Sequence, residues 1–190
     1  RLPQERLTSS VANLAQARDA LELTLQFAKS REAFGSTIGS LQHNAFRLAE
    51  VDAQLAAVEA LVDRCIDDLD ANVMSSADGA RAKLLSARVE NAILDLGYQL
   101  HGGSAFLADA PIHRRWVDGR ITRVWAGADE VMLHLIAQDL GLHLGDAHLE
   151  ERFDGGLDLQ LIEEREFGVE ETVQERVFTE GEEEREGGEE

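Results

Sequence analysis

Apolar residues recur at intervals of three and four along the first part of the chain, the spacing that places them on one face of an α-helix. In residues 5–31 this stripe consists of Leu7, Val11, Leu14, Leu21, Leu25 and Ala28. In residues 41–71 it consists of Leu41, Ala45, Leu48, Val51, Leu55, Val58, Val62, Cys65 and Leu69. The two patterns predict two long helices, and the short glycine-containing break between them implies that the helices pack antiparallel.

A third long helix is predicted to end near His101. Ser75, Ser76 and Asp78 are good N-cap residues for its start, because their side-chain oxygens accept hydrogen bonds from first-turn N–H groups. The predicted inner stripe of this helix consists of Leu85, Val89, Ala92, Leu96 and Leu100.

Two shorter helices follow. Pro111 stands where a first-turn proline belongs and begins a helix that extends to about Asp118. The last helix begins near Ala128 or Asp129, where acidic first-turn residues favour the helix dipole, and it extends to about Leu144.

The chain is therefore expected to be all-α, with residues 1–149 forming an antiparallel helical bundle and no strand. Residues 150–190 form the second predicted unit, an acidic tail with 17 acidic and 4 basic residues. This composition predicts a disordered segment, and an acidic segment that binds a partner is the alternative.

Charge and composition exclude several classes of protein. The formal net charge of −19 argues against a nucleic-acid partner, since phosphates need a cationic surface. The single cysteine, Cys65, leaves no disulfide framework and favours a reducing compartment. No apolar run approaches the roughly 20 residues that a membrane span needs, and no signal peptide is recognisable. These features predict a cytoplasmic protein without a membrane span.

Glycines and arginines concentrate between Gln99 and Glu130. Gly102 and Gly103 end the third predicted helix, and Gly127 precedes the last one. Glycine breaks at helix ends bring backbone N–H groups close to a ligand, and with nearby arginines they suit an anionic, phosphate-bearing molecule. The alternative is that these glycines are ordinary helix C-caps and turns.

Six local motifs occur in an order and spacing that match a known family. They are Leu2-Pro3-Gln4-Glu5-Arg6-Leu7, Arg31-Glu32-Ala33-Phe34-Gly35, Leu41-Gln42, Gln99-Leu100-His101-Gly102-Gly103, Val117-Asp118-Gly119-Arg120 and Gly127-Ala128-Asp129-Glu130-Val131. Through these motifs, residues 1 to about 142 closely resemble the C-terminal helical domain of the acyl-CoA dehydrogenase family. The long-chain branch of the family looks closest.

The resemblance implies a flavoenzyme of fatty-acid β-oxidation. Such an enzyme removes an α-proton and a β-hydride from an acyl-CoA thioester, which gives a trans-2-enoyl-CoA and reduced FAD. The resemblance also implies an electron-transferring flavoprotein as the electron acceptor and a homo-oligomer, either a dimer or a tetramer.

The catalytic base is the point at which this sequence departs from the commonest family pattern. Most members carry a glutamate in the loop before the last helix, but Ala126 stands there and cannot take a proton. In the isovaleryl-type and long-chain-type branches the base lies on the first helix before an arginine, which corresponds here to Glu5 followed by Arg6. The alternative for Glu5 is an exposed first-turn glutamate that favours the helix dipole.

Three further positions correspond to substrate contacts in the family. The backbone N–H at Ala126 binds the thioester carbonyl and stabilises the developing enolate, a contact that an alanine retains. Gly127 borders the same substrate. Arg6 positions the base or its loop, or else it is an ordinary helix-surface arginine.

The remaining correspondences concern FAD. Arg31 matches an arginine that approaches the FAD pyrophosphate, commonly from a neighbouring subunit. The other matched positions are Phe34 and Gln42 beside the same part of the cofactor, Gln99, Gly102 and Gly103 along the adenosine, Trp125 and Ala128 near the flavin, and Glu130 in the same segment. Ala128 replaces the usual threonine, so one hydroxyl contact is lost.

Four arginines between the glycine breaks allow two interpretations. A patch for the CoA phosphates is one, and salt bridges to helix carboxylates such as Asp118 are the preferred one. The four residues are Arg114, Arg115, Arg120 and Arg123.

Two other classes of function are compatible with a helical bundle, a metal-binding protein and a non-catalytic one. Glu130 and His134 lie one helical turn apart, but the paired Glu-x-x-His motif of di-iron bundles is absent, so no metal site is predicted. A non-catalytic bundle that retains only a role in subunit association stays open as the alternative function.

Overall fold

The computed structural model describes residues 2–142, which form one helical unit. Five α-helices occur within this range: α1 (Leu2–Ser30), α2 (Gln42–Asp70), α3 (Ser76–His101), α4 (Pro111–Arg120) and α5 (Asp129–Asp139). Short 3-10 helices follow α3 at Gly102–Phe106 and α4 at Ile121–Arg123. The predicted all-α fold is confirmed, whereas the predicted tail and its boundary at residue 149 lie outside the described residues.

The three long helices run up, down and up. The chain turns tightly from α1 into α2, and glycine at position 39 permits this turn. A Cβ on Gly39 would lie only 2.9 Å from the Ala28 carbonyl oxygen. At the far end of α2, the Cys65 thiol donates a 3.8 Å hydrogen bond to the carbonyl oxygen of Asp78 in α3. Helices α1 and α2 are therefore antiparallel, as predicted, and α1 and α3 run parallel to each other.

Helix α3 lies at the centre of the bundle, with α1 and α2 packed on it as well as α4 and α5. This arrangement contradicts the single inner stripe predicted for α3, because Leu85 is 40% exposed while Leu84 on the adjacent position is buried. On α1, Val11 of the predicted stripe is also exposed. A central helix is covered from several directions, so one periodic stripe does not describe its buried surface.

Small residues let the neighbouring helices approach α3 closely. Gly97 is the clearest case, because a Cβ there would lie 2.5 Å from Thr24 Oγ1 and 3.0 Å from Ile112 Cδ1. Several alanines on the same helix are buried as well, namely Ala77, Ala80, Ala82 and Ala87.

The start of α3 follows the sequence prediction. The Ser75 hydroxyl accepts a 3.1 Å hydrogen bond from the Asp78 N–H, and the Asp78 carboxylate accepts a 3.3 Å bond from the Ser75 N–H. This reciprocal pair is a capping box, which satisfies two N–H groups that a helix start otherwise leaves open.

Two breaks differ from the prediction. Residues Glu32–Ala33 (β1) and Ser36–Thr37 (β2) form a small antiparallel hairpin, although no strand is predicted there. Strands of two residues are too short for apolar alternation to register. Helix α5 ends at Asp139 and not near Leu144, and Gly141 with a φ of 75° follows its end.

No helix among residues 2–142 has the length and apolar character that crossing a membrane requires.

Candidate active site

The predicted site residues fall into two groups near opposite ends of the bundle. The first group contains Glu5, Arg6 and residues 125–130, and it lies towards the end at which α1 and α3 begin. The second group lies where α1 and α3 end and contains Arg31, Phe34, Gln42, Gln99, Gly102 and Gly103. At a rise of about 1.5 Å per residue, Glu5 and Arg31 are roughly 39 Å apart along the axis of α1. One chain therefore does not bring the two groups together.

In the first group, the opening turn of α1 packs tightly on the opening turn of α3. A Cβ on Gly79 would lie 3.2 Å from the Pro3 carbonyl oxygen, so glycine permits this close approach. Arg6 Nη1 also donates a 3.3 Å hydrogen bond to Ser76 Oγ.

Arg6 and Glu5 have opposite surroundings although they are adjacent. Arg6 is buried, and burial lowers the pKa of its guanidinium while the neighbouring Glu5 acts in the opposite direction. The interpretation of Arg6 as an ordinary surface arginine is therefore wrong. Glu5 is exposed in this domain, and no other residue within 2–142 shares a hydrogen bond or a salt bridge with its carboxylate.

The loop at residues 125–128 has an unusual backbone. Ala126 and Gly127 both adopt positive φ angles, 51° and 104°, and a left-handed conformation is uncommon for alanine. Among the hydrogen bonds within residues 2–142, none engages the N–H of Ala126, and no side chain caps the start of α5 at Ala128. This loop thus presents free N–H donors beside the half-exposed ring of Trp125.

A buried lysine that the sequence analysis does not single out supports this loop. Lys83 of α3 is fully buried, and its Nζ donates a hydrogen bond to the carbonyl oxygen of Gly127. Burial lowers the pKa of Lys83, the Asp129 carboxylate opposes this, and Arg123 and Arg6 lower the pKa further. Lys83 is therefore bonded to the loop, and its ammonium group also senses the charge of Arg6 at the start of α1. The feature of the sequence that could have indicated a buried lysine is its position between the apolar residues Ala82 and Leu84.

Asp129, which the sequence assigns only to the α5 dipole, is held between two arginines. Its Oδ2 accepts hydrogen bonds from Arg88 Nε at 3.1 Å and from Arg123 Nη2 at 2.7 Å. The Asp129 side chain is buried, and its Oδ1 has no partner within the described part of the chain. Because Arg123 precedes the loop and Asp129 follows it, this ion pair joins the two ends of the loop.

The second group forms an exposed surface at the other end of the bundle. The rings of Phe27 and His101 stack with centroids 4.0 Å apart, which joins the ends of α1 and α3. Arg31 is exposed and has no carboxylate partner among residues 2–142. Phe34 is 94% exposed on the turn of the β1–β2 hairpin.

The other positions in the second group leave room for a ligand. Gly102 has a φ of 59°. A Cβ added to Gly102 or to Gly103 would have no non-neighbouring atom of the described residues within 4 Å. Gln42 and Gln99 are exposed. The free guanidinium of Arg31 could bind a pyrophosphate, and the open backbone at Gly102 and Gly103 leaves room for the adenosine that the resemblance assigns to these glycines. Gly102 is also the C-cap of α3, so the simpler interpretation of this glycine accounts for part of its role.

Two of the four arginines between the glycine breaks pair with helix carboxylates, though not with Asp118, which is one example of such a partner. Arg115 binds Asp19 of α1, and Arg123 binds Asp129. The salt-bridge interpretation is therefore supported for two of the four residues. No ion pair involves Arg114 or Arg120 within residues 2–142.

No three His, Cys, Asp or Glu side chains in the described part of the chain are grouped to hold a metal ion.

Comparison with known proteins identifies the class to which this helical domain belongs. Residues 1–141 match the family described as "Acyl-CoA dehydrogenase, C-terminal domain". The chain therefore belongs to the acyl-CoA dehydrogenase family, as its sequence motifs predict.

Three similar proteins illustrate the relationship. The long-chain specific acyl-CoA dehydrogenase of Sus scrofa mitochondria is 32% identical over 139 residues, which cover 73% of this chain and 32% of that protein. A crystal structure of acyl-CoA dehydrogenase from Geobacillus kaustophilus matches with a TM-score of 0.72 and 33% identity, over 74% of this chain and 37% of that one. Butyryl-CoA dehydrogenase from Megasphaera elsdenii matches with a TM-score of 0.71 and 26% identity, over 73% and 36%.

The chain spans about a third of the length of the curated relatives that it matches.

Proposed function

We propose that this chain is the C-terminal domain of an FAD-dependent enzyme that converts an acyl-CoA thioester to a trans-2-enoyl-CoA. The observation that carries the proposal is the arrangement around Lys83. The start of α1, which holds Glu5, and the loop at Ala126, which has a free N–H, both adjoin the same turns of α3. Removal of a proton next to a carbonyl requires a carboxylate base and an N–H donor to the developing oxyanion, and Glu5 and Ala126 supply these two groups at the same end of the bundle.

Each residue then has a defined part in the reaction. The Glu5 carboxylate takes the proton from the α-carbon of the thioester. The Ala126 N–H donates a hydrogen bond to the thioester oxygen, on which negative charge develops. FAD held by these residues would supply the acceptor for the hydride that leaves the β-carbon. Arg6, the residue after Glu5, is buried and holds the first turn of α1 against α3 through Ser76.

The two groups of predicted site residues support a site that two copies of the chain complete. An FAD molecule that contacted both groups of a single chain would have to extend roughly 39 Å along α1. We therefore assign Trp125, Ala128 and Glu130 to the flavin region of one copy. Arg31 and the surface around it bind the pyrophosphate and adenosine of a cofactor held by another copy, in a dimer or a tetramer.

The remaining parts of the proposal rest on the family resemblance. An electron-transferring flavoprotein receives the electrons, and fatty-acid β-oxidation is the pathway. The proposed cytoplasmic location has a different basis, since it rests on the single cysteine, Cys65, which favours a reducing compartment. The alternative function, a bundle that serves only subunit association, is favoured by the exposure of Glu5. It would be supported if the full-length protein, purified with added FAD, showed no flavin absorption.

The decisive experiment replaces Glu5 by glutamine in the full-length polypeptide that carries this chain. Glutamine keeps the shape and hydrogen-bonding capacity of the side chain but cannot take a proton. We expect Glu5→Gln to abolish flavin reduction by acyl-CoA and to retain bound FAD. Bleaching of the flavin absorbance in an anaerobic rapid-mixing experiment measures the reduction.

The matched control is Glu22→Gln, the same substitution on the exposed side of the same helix. The flavin of this variant should be reduced by acyl-CoA at the wild-type rate. Near-normal reduction by the Glu5→Gln variant would rule out Glu5 as the base.

A further inference from the structure

The backbone at Ala126 and Gly127 needs support from the rest of the domain. Both residues have positive φ angles, and for alanine this region is costly because Cβ crowds the backbone. An uncommon conformation of this kind persists only where surrounding contacts hold it. Ala126 is itself exposed, so these contacts must come from its neighbours in the loop.

Two buried side chains supply contacts at Gly127. Lys83 donates a hydrogen bond to the Gly127 carbonyl oxygen from inside the bundle. Met132 of α5 also lies close to Gly127, because a Cβ on Gly127 would lie 2.4 Å from Met132 Cε. Met132 is fully buried and packs with Ala80 and Leu84 beside Lys83. The peptide after Gly127 is therefore confined between α3 and α5.

The hydrogen bond from Lys83 differs from the other contacts because it acts on the backbone itself. The Arg123–Asp129 ion pair holds the ends of the loop, and Met132 restricts its space. Lys83 binds a carbonyl group only one residue beyond Ala126, and thereby limits rotation about the two left-handed residues. A fully buried ammonium group is costly, so its retention at this position needs a specific partner.

From this geometry we infer that Lys83 is a positioning residue, which holds the Ala126 N–H in the direction that the thioester oxygen requires. Lys83 is not a catalytic residue, because it lies inside the bundle and reaches the substrate region only through the Gly127 carbonyl. This inference rests on the proposed function and deepens it. A donor displaced by about 1 Å loses much of its effect on a developing charge, so the rate is expected to depend on this lysine.

The test compares three variants of the full-length holoenzyme. Lys83→Met keeps an unbranched side chain of similar length and removes the donor and the charge. Lys83→Gln keeps an N–H donor on a shorter side chain, and Lys83→Arg keeps a charged donor. The measurements are FAD content, KM for acyl-CoA, the limiting rate constant of flavin reduction, and exchange of the substrate α-proton with deuterated water.

We expect Lys83→Met and Lys83→Gln to lower the limiting rate constant and the exchange rate about 10- to 100-fold, in the range found when a donor to a developing oxyanion is lost or displaced. FAD content and KM should change less than about threefold, because the loop donor acts on the transition state and not on binding in general. Lys83→Arg should recover part of the lost rate.

A structural control separates positioning from loss of stability. Leu55→Ala leaves a cavity in the hydrophobic core beside α2, away from the loop. The variant should have a lower thermal midpoint and a wild-type limiting rate constant of flavin reduction. A wild-type rate constant in Lys83→Met or Lys83→Gln would overturn the inference. An equal loss of rate in Leu55→Ala would overturn it as well.

The two proposals fail in distinguishable ways. If wild-type enzyme is reduced by acyl-CoA, Glu5→Gln is not, and Lys83→Met is reduced normally, only the positioning role is wrong. If acyl-CoA does not reduce the wild-type flavin, the proposed function is wrong and the positioning role falls with it.

Discussion

Glu90 provides a direct test of how the helical domain tolerates a buried carboxyl group. This residue lies in α3 and is fully buried, and neither carboxyl oxygen has a hydrogen-bond partner within the described part of the chain. The Thr122 hydroxyl is the polar group that counteracts burial, but it donates a 2.7 Å hydrogen bond to the Gly119 carbonyl oxygen. The carboxyl group is therefore expected to remain protonated at a pH at which an exposed glutamate is ionised.

The size of the effect on stability follows from the pKa of Glu90. Burial raises the pKa of Glu90 from its ordinary value of 4.5 to about 7, with Thr122 opposing the rise. The folded chain therefore holds this proton more tightly than the unfolded chain does. The stability associated with the proton is fully present below pH 4.5 and is lost as the pH rises towards and through about 7. The difference between these two pKa values corresponds to about 3 kcal/mol in the free energy of unfolding.

The experiment measures urea unfolding of wild type and Glu90→Gln between pH 4 and 8. Glutamine cannot ionise, so the variant should lose the part of the pH dependence that Glu90 causes. We expect the free-energy difference between variant and wild type to shift by about 3 kcal/mol in favour of the variant from pH 4 to pH 8. This free-energy difference between the two proteins does not depend on the many exposed carboxylates, because both proteins contain them.

Glu22→Gln, on the exposed side of α1, is the matched control and should follow the wild-type curve. If the difference between Glu90→Gln and wild type does not vary with pH, the carboxyl group is ionised and solvated, and the reasoning from burial is refuted.

Two other predictions concern the cofactor surface and the start of α3. Arg31→Ala should weaken FAD retention, because its free guanidinium is assigned to the pyrophosphate; unchanged FAD occupancy after dialysis would contradict the assignment. Ser75→Ala should lower the free energy of unfolding by about 1 kcal/mol at pH 7, since it removes the N-cap. The Ser75 hydroxyl is also the main cause that lowers the pKa of Asp78 below its ordinary value of 3.8. This contribution is present above pH 3.8 and is lost as the pH falls through the lowered pKa, so the loss of stability in Ser75→Ala should shrink below pH 3.8. A pH-independent loss would show that the capping box is not the cause.

The helices and the family were accessible from the sequence because both depend on local patterns. Apolar spacing predicted α1 and α2 to within one to three residues at each end, and the capping residues marked the start of α3. Six short motifs in register identified the family. Each of these signals is contained within a few turns of one helix, so no knowledge of packing is needed to find it.

Two features of the site depended on which helices pack together. The sequence predicted Glu5 and Arg31 at opposite ends of one helix, but it could not show that α3 runs parallel to this helix. Only that pairing puts Ala126 near the Glu5 end of the bundle and Gly102 and Gly103 near the Arg31 end. For Lys83 the sequence offered only the apolar neighbours Ala82 and Leu84, which do not distinguish it from a surface lysine until the loop before α5 packs against it.

What the sequence alone determined is therefore the set of helices, their caps and the family motifs. What only the tertiary structure decided is which charged groups are buried. Periodicity specifies a direction around one helix axis, whereas α3 is covered from several sides at once. The environment of Lys83, Glu90 and Asp129 thus depends on residues 30 or more positions away in the chain or on other helices.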